Sequence, residues 1–591
     1  GLVILAETEI WRDPLSKIEV TQQQPPVLTP EQQGAWLTLR DGLHASAAGQ
    51  ETQPFLLHGV TGSGKTEIYL RAVSETLAVG RQAIILVPEI ALTPQTVRRF
   101  MARFPGRVGL VHSRLSPGER YDTWRRARAG QLSVIVGPRS ALFTPLPNLG
   151  LLVVDECHED SYYQDSYPAF HAAQTAIDYA RLNNCVLLLG SATPDIEMVY
   201  RAGREGWNQL RMPVRILAHR RAVEAQMERL GQAMPQMDEE EAALHLPLPA
   251  VHVVDMREEL KQGRRSIFSQ PMQTALEEVL QRGQQAILYL NRRGTATYVF
   301  CRACGHSLDC PRCEIPLTYH TQPGSETGGL ICHHCNYRRQ IPTKCPQCAS
   351  PQIRQFGTGT EKVESELQAR FPQARILRLD WETTRQKGTH DMILTHFANH
   401  QADFLVGTQM LAKGLDLPMV TLVGIILADT GLTLPDFRAA ERVFQLLTQV
   451  AGRAGRSPLG GQVVLQTFQP EHYAIQTAAR HDFAAFYQKE IELRRKIGYP
   501  PFSRLVRMET QHAINESAEQ KARDLAAQLI HWIEESQLTA TELIGPVPCY
   551  FNRVNGLYRW QIILRGPDPA AVLRGRSLQG WQIQVDPISL L

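Results

Sequence analysis

The apolar positions of this chain fall into short continuous runs separated by longer amphipathic stretches. Between residues 28 and 216 the runs PFLLHGV, QAIILVPE, LSVIVG, LGLLVVDE and CVLLLGSATP alternate with helix-period segments such as TPQTVRRFMARF. Runs apolar on successive residues read as strands buried on both faces, and their alternation with helices predicts a mostly parallel sheet covered by helices. A second series, QAILYLN, ARILRLD, ADFLVGT, VTLVGIIL and GQVVLQTF, predicts a second α/β lobe, interrupted by a cysteine-rich block. From about residue 480 a helical stretch and then alternating strands such as YRWQIILRG predict a separate α+β domain. TQQQPPVLTP reads as a linker, and the polar, Met/Gln-rich residues 218–246 read as a mobile insertion. The expected boundaries are therefore 1–27 for a connector, 28–216 for the first lobe, 217–250 for the insertion, 251–300 and 351–470 for the second lobe, 301–350 for the cysteine block and 471–591 for the C-terminal domain.

A chain of 591 residues is too long for one hydrophobic core, which agrees with several domains. The composition, 43% hydrophobic and 20% charged, is that of a globular protein, and a net charge of +3 announces neither nucleic acid nor membrane. Residues 98–131 depart from that balance, with nine arginines against Glu119 and Asp122. They read either as a phosphate-facing surface or as a solvated helix face. No apolar run is long enough to span a bilayer, and GLVILAETEIW lacks the basic start of a signal peptide. It also lacks an initiating Met, so a piece of a longer chain is expected.

GVTGSGKT, at Gly59, Val60, Thr61, Gly62, Ser63, Gly64, Lys65 and Thr66, fits GxxxxGK[ST] after a strand run and before a helical pattern. That context suits a phosphate loop: backbone N–H groups close on the β-phosphate of ATP, Lys65 reaches the β/γ oxygens and Thr66 holds magnesium. LGLLVVDECH puts Asp155 and Glu156 at a strand end, where Asp155 would hold magnesium and Glu156 would orient or deprotonate the attacking water. QVAGRAGR offers Arg453 and Arg456 for the γ-phosphate; because they lie in the second lobe, hydrolysis is expected to require closure of the two lobes.

Eight of the eleven cysteines form four CxxC pairs. In a chain without an export signal this favours metal over disulfides and a reducing cytoplasm. The eighteen-residue gap fits CxxC-x15–20-CxxC, grouping Cys310, Cys313, Cys332 and Cys335 around one zinc and Cys301, Cys304, Cys345 and Cys348 around a second; consecutive pairing is the poorer alternative. Four thiolates leave no open coordination position, so both zincs are expected to be structural.

In order, GVTGSGKTE, LVPEIALTPQ, DECH, GSATP, LNRRG, GTGTEK, GTQMLAKGLDLP and QVAGRAGR resemble the motifs of superfamily 2 helicases. With the cysteine block between LNRRG and GTGTEK they resemble the PriA family of primosomal replication-restart DNA helicases, over roughly residues 28–591. The resemblance implies two RecA-like parallel-sheet lobes with an inserted two-zinc module and a C-terminal α+β domain. It implies a cytoplasmic, nucleoid-associated enzyme that unwinds stalled or forked DNA with 3′→5′ polarity. Its implied partners are forked and single-stranded DNA, the single-stranded-DNA-binding protein and primosome or helicase-loading proteins, with no membrane. It also implies that Gln32 contacts adenine, and that residues 1–27 hold at most the tail of a winged helix.

Several positions depart from the family or stay open between two roles. In DSYYQDSYPAFHAAQ, Tyr162, Tyr163, Tyr167 and Phe170 either stack on unpaired bases or pack under the loop. Ala169, Ala173 and Gln174 replace two family arginines and an acid, which implies weakened coupling of DNA binding to hydrolysis. In GPRSA, Pro138 replaces the usual Thr, leaving Arg139 and Ser140 as candidates for DNA backbone contact. Thr408, Gln409 and Lys413 are further candidates, and Asp416 faces the same turn or packs. In the C-terminal domain Arg553, Arg559 and Trp560 either contact DNA or, for Trp560, pack a strand. A duplex-DNA translocase without unwinding, and a fork-binding scaffold with weakened ATPase coupling, are the competing readings.

Overall fold

The computed structural model describes residues 11–16, 20–22, 24–89, 94–216, 228, 247–290, 298–312, 316–320, 329–356, 359–380, 383–384, 388–408, 411, 417, 419–455 and 459–591. It divides into two compact units: the first holds the described residues up to 216 with Pro247, and the second holds residue 228 and the described residues from 248 onward.

The first unit is a seven-stranded sheet in the order Val108–Leu110, Val134–Gly137, Gln82–Leu86, Leu149–Asp155, Val186–Ser191, Phe55–Gly59, Asn208–Met212, with every pairing parallel. The central strands are apolar on both faces because helices cover both, and two buried clusters lie on opposite sides, one holding Leu57, Ile85 and Val153 and the other Leu56, Ile84 and Leu152. The first helix, Pro30–Ala47, begins with a capping box in which Thr29 and Gln32 each satisfy the other's backbone N–H. The two outermost strands, Val108–Leu110 and Asn208–Met212, are absent from the apolar runs of the sequence. The first has three residues and the second, NQLRM, is apolar only at Leu210 and Met212.

The second unit holds a six-stranded, all-parallel sheet in the order Ala250–Asp255, Gln462–Thr467, Val420–Ile426, Gln285–Leu290, Phe404–Gly407, Ile376–Leu379. The cysteine block leaves this lobe through the strand Tyr298–Cys301 and returns through Ile353–Phe356, which pair antiparallel. The C-terminal part is a four-stranded antiparallel sheet of Glu542–Val554, Leu557–Gly566, Arg504–His512 and Gln582–Val585, backed by the helix Asn515–Glu535.

Residues 473–497, expected in the C-terminal domain, pack instead on the second lobe. Phe486 stacks on Phe444 with ring centroids 4.1 Å apart, and Arg494 bonds Glu441 at 2.7 Å and Glu490 at 2.8 Å. Arg438 also bonds Glu441, at 3.0 Å, so two guanidiniums share one carboxylate that is 1% exposed. Replacing Glu441 by Ala is expected to cost about 3–5 kcal/mol, because the buried cations lose their shared counter-charge while their desolvation remains. Loss of hydrogen-exchange protection in 439–451 and 483–497 would register it; unaltered protection would show that Glu490 alone suffices.

Candidate active site and metal centres

The phosphate loop connects the strand Phe55–Gly59 to the helix Lys65–Ala78. Gly64 caps that helix at φ 83°, and any side chain there would also strike the Gln32 amide. The loop is braced from outside: Val60 N–H donates to the Met212 carbonyl at 3.1 Å and Ile216 N–H to Gly62 at 3.0 Å. Buried Arg215 lies against Gly62. Lys65, 8% exposed, donates to the Gly59 carbonyl at 2.9 Å and stands 3.8 Å from Glu156 Oε1. Thr66 is half-buried at the start of the same helix. Ser63 Oγ is buried and, among the described residues, finds no hydrogen-bond partner.

Gln32, for which the resemblance implies an adenine contact, is held between the helix start and the phosphate loop. It is 3% exposed; its Nε2 donates to the Ser63 carbonyl at 2.9 Å, and its Oε1 accepts from Thr29 N–H at 3.0 Å. Both ends of the amide hold the helix start and the phosphate loop.

Asp155 ends the strand Leu149–Asp155 and accepts from Tyr69 Oη at 2.9 Å and from Glu156 N–H at 3.0 Å. Burial, followed by the neighbouring charge of Glu156, pushes its acid up to about 6 against the opposing pull of Lys65. A dication beside it would restore the carboxylate, so the site fits a hard cation such as magnesium. Glu156 holds φ 46°, a left-handed conformation of the kind that collects at functional sites. His158 Nδ1 and Ser191 Oγ share a hydrogen bond at 2.7 Å, tying DECH to GSATP. The reading of motifs missed Tyr69, Arg215 and this His158–Ser191 pair. Tyr69 lies four residues beyond Lys65, but only the bare Gly190 lets its hydroxyl reach Asp155.

The aromatic loop divides by burial. Tyr162 is 1% exposed and its hydroxyl donates to the Asp155 carbonyl at 2.6 Å, so its expected role on unpaired bases is overturned. An apolar ring with one partner for its hydroxyl is a core residue. Phe170 packs edge-on against Phe143 at 5.2 Å, and Tyr163 is half-buried beside His171. Tyr167, 99% exposed, stands at the tip. Arg139, expected on DNA, donates through Nη1 to the carbonyls of Ser161 at 3.0 Å and Tyr163 at 2.8 Å; its guanidinium holds the loop, while Ser140 is exposed. Ala173 is fully buried and Gln174 accepts from Arg201 at 2.9 Å.

In the second unit Arg453 follows the helix Ala439–Ala451, its N–H bonded to the Val450 carbonyl at 3.0 Å. Thr408 follows the strand Phe404–Gly407 and is half-buried. Arg456, Gln409, Lys413 and Asp416 lie outside the described residues. In the C-terminal sheet Trp560 is 1% exposed and donates to Asn515, which makes it a packing residue. Arg559 is bidentate on Glu509, and Arg553 lies exposed over Tyr558.

The sulfurs of Cys301, Cys304, Cys345 and Cys348 lie within 4.8 Å of one another, as do those of Cys310, Cys332 and Cys335; Cys313 lies outside the described residues. Contacts of 3.6 Å for Cys301–Cys348, 3.7 Å for Cys304–Cys345 and 3.5 Å for Cys310–Cys335 are far longer than a disulfide. They approach the edge of a tetrahedron of about 3.8 Å that Zn–S bonds of about 2.3 Å require. The residue after the second cysteine is left-handed in each of three pairs, at Gly305, Asn336 and Ala349, and the tight turns aim both sulfurs to one side. Burial pushes the Cys332 thiol up to about 12, which only a bound cation would reverse. His333, beside Cys332, does not join a sulfur cluster; its Nδ1 bonds the Pro548 carbonyl at 2.9 Å, linking the module to the C-terminal sheet.

Comparison with known families matches four segments. The DEAD/DEAH box helicase model covers residues 29–201 and the helicase conserved C-terminal domain 349–458. The PriA DNA helicase Cys-rich region covers 310–340 and the primosomal protein N C-terminal domain 495–588. The chain is 43% identical to the replication restart protein PriA of Bacillus subtilis, over 96% of this chain and 65% of that one. It is 43% identical to that of Synechocystis, over 100% and 68%, and 38% identical to that of Treponema pallidum, over 89% and 74%. It thus spans about two thirds of the length of the first two relatives. Among solved structures the DUF1998 helicase MrfA bound to DNA overlays at TM-score 0.42 and 14% identity, over 79% of this chain and 52% of that one, a likeness too distant to bear on mechanism. With two helicase domains, the cysteine block and the C-terminal domain all matched in chain order, this chain belongs to the PriA family of replication restart proteins.

Proposed function

We propose that this chain is an ATP-driven DNA helicase that moves 3′→5′ on stalled or forked replication intermediates and takes part in primosome assembly. The observation that carries the reading is the convergence of Lys65, Asp155 and Glu156 at one end of the first sheet. The backbone N–H groups of Gly62 to Lys65 take the β-phosphate, and Lys65 turns from the Gly59 carbonyl to the β/γ oxygens. Thr66 and Asp155 would hold magnesium, which would supply charge neutralisation on the phosphates. Glu156 orients the attacking water, and Arg453 and Arg456 supply positive charge for the γ-phosphate. Ser140, Tyr167, Thr408, Gln409 and Lys413 are assigned to the DNA strand, contacts that follow the backbone and carry no sequence information. By family likeness the protein partners are the single-stranded-DNA-binding protein and helicase-loading proteins, in the cytoplasm.

The test is phosphate release with and without a forked DNA bearing a 3′ tail. Many-fold stimulation is expected, and Arg453→Ala is expected to remove about a hundredfold or more of the stimulated rate. A rate indifferent to DNA would put the scaffold reading in its place. On the DNA side, Tyr167→Ala is expected to weaken single-strand affinity about tenfold, since one stacked base contributes about 1–3 kcal/mol. Tyr162→Leu, which removes the ring that would stack, should leave that affinity unchanged because the ring is buried. Fluorescence anisotropy compares the two, and an equal loss in both would return Tyr162 to the DNA surface.

A further inference from the structure

The arginine-rich stretch that the sequence leaves open between two readings forms the helix Pro117–Arg128. Its Asp122, Thr123 and Ala127 are buried, while Arg120, Tyr121, Trp124, Arg125 and Arg128 are exposed. Positions i, i+1, i+4, i+5 and i+8 share one face of a helix, so three guanidiniums and two aromatic rings make a single stripe. Of the described acids on this helix, neither faces Arg120 or Arg128. Asp122 is buried and accepts from Arg12 N–H at 3.1 Å; Glu119 is turned back into a capping box, accepting from Ser116 N–H at 2.8 Å and Ser116 Oγ at 2.7 Å. The fourth guanidinium of the helix, Arg126, pairs with Asp13 at 2.8 Å away from the stripe.

The rings are presented to solvent: Tyr121 is 62% exposed and Trp124 39%. The Arg125 guanidinium lies 5.2 Å from the Trp11 ring centre and 5.6 Å from that of Tyr121, so planar groups are already layered there. Cations recur at 120, 125 and 128, steps of five and three residues or about 7.5 and 4.5 Å along the axis, with Tyr121 and Trp124 between them. Aromatics interleaved with guanidiniums at that pitch suit a strand whose bases stack while its phosphates run alongside, whereas an acidic protein segment would need the cations but not the rings.

We infer that the exposed face of Pro117–Arg128 is a second binding site for single-stranded nucleic acid, separate from the motor's strand-tracking motifs, with phosphates on Arg120 and Arg128 and bases on Tyr121 and Trp124. It rests on the proposed motor only in requiring that the chain meet nucleic acid. The test titrates a fluorescent oligodeoxythymidylate against this chain over a range of salt. Arg120→Gln combined with Arg128→Gln keeps good helix formers at both positions and is expected to flatten the slope of log affinity against log salt by about 1.4, two phosphate contacts at about 0.7 each. Trp124→Ala is expected to weaken binding about tenfold with the slope unchanged. In both variants the maximal DNA-stimulated ATP hydrolysis stays at the parent value and the DNA concentration for half-maximal stimulation rises. An unmoved slope and an unmoved affinity in folded variants would make the stripe a solvated face and overturn the inference. So would loss of poly-glutamate binding with oligonucleotide binding intact, which would assign the face to an acidic protein. Hydrolysis that ignores DNA in the parent chain would overturn the motor reading instead, and the salt slope would still decide the stripe.

Discussion

Lys65→Ala is expected to lower ATP hydrolysis by about three orders of magnitude while leaving DNA affinity in the absence of nucleotide at the parent value. Lys65 is buried at the loop proposed to cradle the phosphates, where a charge-assisted contact would be screened little by water. A preorganised donor that strengthens its contact as charge redistributes in the transition state contributes about 3–4 kcal/mol, and each 1.36 kcal/mol is about a tenfold change in rate. Its removal acts a second time through Asp155. Lys65 is the charge that holds that acid down, so without it Asp155 rises further and, in the proposed role, would hold magnesium less well. Steady-state phosphate release measures the effect, and a loss smaller than tenfold would mean that another cation serves the γ-phosphate. The parent-like DNA affinity distinguishes a failed site from a misfolded lobe.

The second large effect is metal loss. Residues 301–348 have little core of their own: Leu308, Leu317, Leu330 and Ile331 are the buried aliphatic residues described there, and most other buried side chains of that cluster are cysteines. Structural zinc in such modules supplies roughly 10–16 kcal/mol, more than these aliphatics contribute at about 1.5–3 kcal/mol each. Cys310→Ser is therefore expected to release one zinc per chain and strip hydrogen-exchange protection from 316–320 and 329–339, with the phosphate loop unaffected. Combining Cys301→Ser with Cys310→Ser decides the pairing. Nested sites lose two ions in the double variant, whereas consecutive sites, with Cys301 and Cys310 on the same ion, lose one. Zinc content per chain by atomic absorption gives the answer.

Much of this protein is legible without coordinates wherever the chemistry is local in the chain. A phosphate loop is one continuous segment because consecutive backbone N–H groups make it, so Gly59 to Thr66 carries its own signature. The CxxC pairs are equally local, since one tight turn brings both sulfurs of a pair together. Strands such as Val134–Gly137 are apolar throughout because helices cover both faces of a parallel sheet, and those runs are visible by eye. The edge strands Val108–Leu110 and Asn208–Met212 are not, because an edge is short or covered on one side only.

What only the tertiary structure decided is the assignment of side chains that look alike in the sequence. Tyr162 and Tyr167 are the same residue type in one loop, yet one lies under the loop bonded to the Asp155 carbonyl and the other projects into water. Arg139 and Gln32 carry donors suited to a phosphate or a base, and carbonyls of Ser161, Tyr163 and Ser63, brought up from distant positions, accept from one nitrogen of each. The arginines of 98–131 are uniform by composition; folding turns Arg120, Arg125 and Arg128 outward, spends Arg126 on Asp13 and hides the two acids. The sequence determined the lobes, the phosphate loop and the cysteine pairs, because periodicity and spacing are properties of neighbouring residues. Which polar groups remain available to a ligand depends on burial and on partners from elsewhere in the chain, and those exist only once the chain has folded.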